Sequence, residues 1–209
     1  MAQDTFTDTN GTHLLDHTSE MTWTATISNS PDTVTIQSNA VQLDVWADTV
    51  KAFASTSQVD SSQITHKSTI LEAVGAAGPC VRMPVNSSGY SAVFSSPTGG
   101  NWTQVVLAKN EVYLTAYSGL SYSTSSDHTI KISASGTSTV TLEVFIDGSS
   151  IGTKQDASSP LDTGYSGFRV MNNSGTAKIM VDDWTDGAAG VSAAVTPSFI
   201  TLTRTWSSE

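Results

Sequence analysis

From His128 to Lys154 the chain reads HTIKISASGTSTVTLEVFIDGSSIGTK, with apolar and polar residues in alternation. A period of two is the pattern of a strand buried on one face, and it is incompatible with a helix, whose apolar stripe recurs every three or four residues. The run breaks at Ser135-Gly136 and again at Asp147-Gly148, and the second pair is a strong two-residue hairpin signal. The same alternation returns in GYSAVFSS, WTQVVLAK, EVYLTAYSG, SGFRVMN and TAKIMVDDW, separated by turns such as PTGGN and NSG. Turn signals spaced about 8–12 residues apart point to an all-β sandwich or barrel. In AVQLDVWAD (40–48) the pattern places Val41, Leu43 and Val45 on one side and Gln42, Asp44, Trp46 and Asp48 on the other. STILEAVGAAG (68–78) is short and glycine-terminated, and reads as a loop or a single turn.

Composition agrees. The 209 residues include 32 Ser and 30 Thr, with 38% hydrophobic and 13% charged. Thr favours strands and Ser favours turns and edges, while the recurring apolar positions separate this chain from a disordered one. The length suits one large domain, or one domain with an appendage. A formal net charge of −10 with no Lys/Arg cluster argues against nucleic-acid binding. Cys80 is the single cysteine, in an apolar stretch, and is expected to be a buried free thiol. No apolar run approaches the roughly 20 residues of a membrane helix. The opening MAQDTFTDTNGT has neither the basic start nor the apolar run of a secretory signal, so synthesis in a cytoplasm is expected. The four Asn-x-Ser/Thr sequons, at Asn10, Asn86, Asn101 and Asn172, are what this Ser/Thr content yields by chance.

Two acids on one strand raise the question of a glycosidase. Glu143 and Asp147 are four residues apart, which on an extended strand means about 13 Å. Retaining glycosidases hold their carboxyl groups about 5–5.5 Å apart and inverting ones about 6.5–9.5 Å. The pair therefore belongs to a hairpin and not to a catalytic dyad. His13 and His17 have i,i+4 spacing without a helical pattern around them, His66 and His128 stand alone, and no G-x-S-x-G elbow is present. Binding has better support. Trp46 falls on the polar side of its strand beside Asp44, and Tyr113 and Tyr117 lie opposite Val112, Leu114 and Ala116. Rings on a polar sheet face can stack on sugars while Asp supplies hydrogen bonds.

The order of several segments resembles a family: DTFTDTNGTHLLDHTSE near the start, GYSAVF and GGNWTQVVLAK in mid-chain, then HTIKISASGTSTVTLEVFIDGSSIGT, DTGYSGFRV and a closing VDDW. Over roughly residues 3–186 this is similar to the concanavalin A-like lectin/glucanase jelly rolls of the laminin-G-like type. The resemblance implies an antiparallel two-sheet jelly-roll sandwich over 1–186, many of whose relatives bind sugars, some with calcium. Glucanases of this fold place their acids as Glu-x-Asp-x-(x)-Glu on one strand, and Phe145 breaks that pattern here. Lyases of this fold use a His/Tyr/Arg cluster on the concave face, for which no motif is recognisable. In related jelly rolls a calcium ion bridges the first and last strands, and Asp4, Asp182 and Asp183 match those positions. The remainder, 187–209, reads as a Gly/Ala linker and one extra C-terminal strand, SFITLTRTW, which pairs with its own sheet or docks on a neighbouring subunit.

The resemblance leads to the expectation of a non-catalytic bacteriophage virion surface protein, either a capsid decoration or a tail or fibre component, contacting host glycans and joining virion proteins or copies of itself through residues 190–209. A free carbohydrate-binding module is the first alternative, and a polysaccharide-degrading enzyme of the same fold the second. Neither nucleic acid nor membrane is an expected partner.

Overall fold

A computed structural model describes residues 2–17, 21–27, 34–43, 48–54, 59–66, 75–85, 87–172 and 179–187. The alternating segments become two antiparallel sheets. One contains, in spatial order, β13 (Ser149–Asp156), β12 (Val140–Ile146), β11 (His128–Ser135), β6 (Ser61–His66), β15 (Ile179–Thr185), β4 (Ala40–Leu43) and β3 (Val34–Gln37). Its eighth strand, β1 (Gln3–Asp4), pairs with β15. The other sheet contains β10 (Val112–Ser123), β9 (Asn101–Lys109), β8 (Tyr90–Thr98), β7 (Gly75–Met83), β14 (Tyr165–Asn172), β5 (Asp48–Ala54) and β2 (Trp23–Ile27). A single 3-10 turn covers Leu14–Asp16. Hairpins build β7-β8-β9-β10, β11-β12-β13 and β3-β4, and every other connection in the described order carries the chain from one sheet to the other. This is the expected all-β jelly-roll sandwich.

Period two does the packing. Ile130, Ile132, Leu142, Val144 and Ile64 from the eight-stranded sheet meet Tyr90, Ala92, Phe94, Val105, Leu107, Phe168 and Val170 from the seven-stranded one in a single buried cluster. At one end Trp23 lies 5.0 Å from Phe168 and 5.0 Å from Trp184, both edge-on, and Phe6 lies 5.6 Å from Trp23. These contacts lock the N-terminal segment to both sheets. The turns follow the sequence signals: Asp147 and Gly148 both have positive φ, as a type I′ turn requires, and so do Gly99 and Gly100.

Two local readings are corrected. Residues 40–48 are not one strand: β4 ends at Leu43 and β5 starts at Asp48 in the other sheet, because the chain must change layers there. The end of STILEAVGAAG is not loop, since residues 75–78 open the nine-residue strand β7. Ala77 faces the core, and Gly78 lies so close to β8 that a Cβ there would fall 1.8 Å from the carbonyl oxygen of Ala92. Close approach selects small residues and erases the alternation that marks the other strands. The C-terminal strand expected within 187–209 lies outside the described residues, which end at 187.

Two polar staples hold the loop after β13. Arg82, buried, donates from Nε and Nη2 to the two carboxylate oxygens of Asp60 at 2.7 Å each, and from Nη1 to the carbonyls of Gly136 and Leu161 at 2.8 Å. Tyr90 donates to Asp156 at 2.7 Å and accepts from the Leu161 N–H at 2.9 Å, while Lys109 donates to Asp156 at 2.8 Å. Burial, then the bond to Asp156, pushes the Tyr90 hydroxyl up to about 12. Burial alone would raise the Asp156 carboxyl, but the hydrogen bonds from Lys109, Tyr90 and the Ser158 N–H outweigh it and hold the group below its ordinary value.

Candidate functional site

The sheet faces decide where chemistry can occur. On β12, Val144 and Ile146 point into the core, so Glu143 stands on the outer face of the eight-stranded sheet, where it accepts a hydrogen bond from Ser150 Oγ at 2.7 Å. Asp147 sits in the turn, accepting from the Thr129 N–H at 2.9 Å, with His128 Nδ1 2.8 Å from its other oxygen. Both acids serve the hairpin, as their spacing predicted.

On the seven-stranded sheet, registers define rows of paired positions. One row runs Tyr113, Ala108, Ser91, Cys80, Gly167, Phe53 and Thr24. Beside it, Ala116, Val106 and Val93 come from one side and Arg169, Lys51 and Thr26 from the other, with Gly78 paired to Arg169. Beyond these, Gln104 donates to Ser118 Oγ at 2.9 Å. The centre of the face is thus floored by Ala, Ser, Cys and Gly, with larger groups at its rim, and no Asp or Glu occupies an outward register position in these rows. Ser91 is buried and its hydroxyl has no hydrogen-bond partner among the described residues. Cys80 is buried beside Met83 and Tyr165, in a small cluster separate from the main core.

The aromatic platform expected from the sequence is divided by the structure. Tyr113 pairs with Ala108 on this outer face and is exposed. A bulge between Tyr113 and Thr115 adds one residue, which turns Tyr117 to the opposite face. There its ring packs on β13: a Cβ at Gly152 would lie 2.3 Å from Tyr117 Cε1. The period-two reading had put both tyrosines on one side, and only the bulge separates them. Trp46 and Asp44 lie outside the described residues.

Of the expected calcium ligands, Asp4 does lie beside the closing strand, paired with Trp184. Its carboxylate is already enclosed. Oδ1 accepts from the Phe6 N–H at 2.8 Å and lies 3.0 Å from His17 Nε2, and Oδ2 accepts from Trp23 Nε1 at 2.8 Å. His17 reaches Asp8 with its other nitrogen at 3.1 Å. Asp182 is buried and Asp183 exposed, so the two point to opposite sides. Among the described residues no group of three or more His, Cys, Asp or Glu side chains could hold a metal. Calcium needs six to eight oxygens around one point, and this set does not fit it. The i,i+4 histidines diverge too: His13 accepts from the Leu15 N–H as a cap, while His17 joins the Asp4 network.

These two sheets in this order define a concanavalin A-like jelly roll. Compared with solved structures, the chain matches a Bacillus licheniformis β-glucanase with a TM-score of 0.58 at 13% identity, over 87% of this chain and 94% of that one. It matches the carbohydrate recognition domain of Emp46p in a metal-free form with a TM-score of 0.56 at 12% identity, over 86% and 97%. It matches a carbohydrate-binding module from Bacillus subtilis with a TM-score of 0.52 at 14% identity, over 79% and 97%. No family model and no curated protein sequence matches the chain. The same fold therefore carries both sugar-binding modules and a glucanase, and for this chain the residues on the face must decide between them.

Proposed function

We propose that this protein is a non-catalytic sugar-binding jelly roll on the surface of a bacteriophage virion, a decoration or a tail or fibre component that contacts host glycans. The observation that carries the binding reading is the outer face of the seven-stranded sheet: small residues across its centre, amide and hydroxyl groups at Gln104 and Ser118, and exposed Tyr113 at its edge. A pyranose needs a ring to stack on and hydrogen-bonding groups beside it, and Tyr113, Gln104 and Ser118 supply both. Hydrolysis needs paired carboxyl groups at a fixed separation. The outward register positions in the rows offer no such pair.

The virion part rests on the ordered resemblance of the segments between residues 3 and 186, with the acidic Ser/Thr-rich composition in keeping. Residues 190–209, which carry Phe199, Ile200, Leu202 and Trp206, are assigned to contacts with virion proteins or other copies. Production in the host cytoplasm follows from that assignment. Mass spectrometry of purified particles tests it: the chain should co-purify with capsid or tail proteins through a density gradient, and recovery only as free protein would contradict it. The rival carbohydrate-binding module shares the sugar site and parts from this reading in that experiment.

A further inference from the structure

Arg169 lies on β14 between Phe168 and Val170, both of which point into the core. Its side chain therefore leaves on the outer face of the seven-stranded sheet, yet it is only 9% exposed. Its Nε is buried without a hydrogen-bond partner, and the polar contact it does make is weak, Nη2 to Met171 Sδ at 3.6 Å. No carboxylate among the described residues pairs with it. Its cross-strand partner on β5 is Lys51, and on β7 it is Gly78. Two residues earlier on the same face is Gly167.

Each of these facts is unfavourable for an isolated protein. A buried guanidinium without an anion carries a desolvation penalty. The chain has 9 Lys and Arg against 19 Asp and Glu, yet no carboxylate among the described residues pairs with this guanidinium. Neither Gly78 nor Gly167, both buried, has a side chain with which to satisfy the guanidinium. The missing component is an anion.

We infer that Arg169 marks a subsite for the carboxylate of an acidic sugar, so that the glycan taken by this face is a uronate- or sialate-type saccharide. The planar fork of arginine receives a carboxylate through two parallel hydrogen bonds. This inference rests on the sugar-binding reading of the face and names the substrate class.

Calorimetric titration with oligogalacturonate, its methyl ester, sialyllactose, lactose and a sulfated oligosaccharide tests it, on the wild type and on Arg169→Met and Arg169→Lys. The wild type should bind a carboxylated sugar at least about tenfold more tightly than its ester or neutral counterpart, the worth of one charge-assisted hydrogen bond. Arg169→Met should lose that preference while melting no lower than the wild type, because it removes a buried unpaired cation. Arg169→Lys keeps the charge without the fork, and should lose most of the preference; it decides the matter if the methionine variant does not fold. Equal affinity for acid and ester, a preference confined to the sulfated sugar, or an unchanged preference in Arg169→Lys would overturn the inference. Binding of lactose alone would overturn it while leaving the sugar-binding reading intact, and binding of no saccharide at all would remove both.

Discussion

Tyr117 of β10 lies against the backbone of Gly152 in β13, closing the side of the sandwich where the edge strands of the two sheets meet. The phenol ring is partly buried and its hydroxyl, fully buried, has no hydrogen-bond partner among the described residues. The bulge in β10 creates this contact, and with it the division between an inner tyrosine and an outer one.

Opposite stability changes are expected at the two ends of that contact. Tyr117→Phe removes an unsatisfied hydroxyl and keeps the ring, so it should be neutral or raise stability by about 1 kcal/mol. Gly152→Ala drives a methyl into the ring and should lower the melting temperature by several degrees. Thermal denaturation of both variants checks this. A Tyr117→Phe protein that melts well below the wild type would mean that the hydroxyl has a partner in solution.

The Arg82 staple should be the more costly one to remove. Arg82→Ala frees Asp60, which is half-exposed and can rehydrate, but strips two loop carbonyls of their donor. A loss of about 2–3 kcal/mol is expected, measurable by urea denaturation. Arg82→Lys cannot reproduce three directions of donation and should recover little of it.

Acid and alkali should act on the Tyr90–Asp156–Lys109 staple from opposite ends. Asp156 is held below its ordinary value, so its contribution is fully present above the unfolded carboxyl range near about 4 and fades as pH falls through the folded value. Tyr90 is raised to about 12, so its contribution is complete below the unfolded tyrosine value and is lost as pH rises toward 12. Melting temperature against pH should fall at both extremes. Asp156→Asn should flatten the acid limb and Tyr90→Phe the alkaline one; limbs unchanged in both variants would assign the pH dependence to other groups.

Calcium should leave the protein unaffected. Asp4 spends its carboxylate on Trp23, Phe6 and His17, and Asp182 and Asp183 diverge. Melting temperatures in millimolar calcium and in chelator should coincide, whereas a rise of several degrees with calcium would show a site built from other residues.

Much of the architecture was legible because period two survives wherever a strand has one wet face. The hairpins at Ser135-Gly136 and Asp147-Gly148 could be read directly, and so could the structural role of Glu143 and Asp147. β7 was not, because a strand pressed on its neighbour at Gly78 must be small and shows no alternation. Nor was the separation of Tyr113 from Tyr117, since one bulged residue inverts every later side chain and leaves no mark on composition. Arg169 was missed for a different reason. In SGFRVMN it is an ordinary polar position on an alternating strand, and only register shows that Lys51 and Gly78 flank it.

The site itself is tested most directly by titrating isotopically labelled protein with the tightest-binding saccharide and mapping the backbone shifts. Changes should cluster at Tyr113, Gln104, Val106, Ser91 and Arg169, on the outer face of the seven-stranded sheet, with no new reducing ends in the sample. Shifts confined to Lys131, Glu143 and Phe145 on the opposite sheet, or release of reducing ends, would contradict a non-catalytic sugar site on this face.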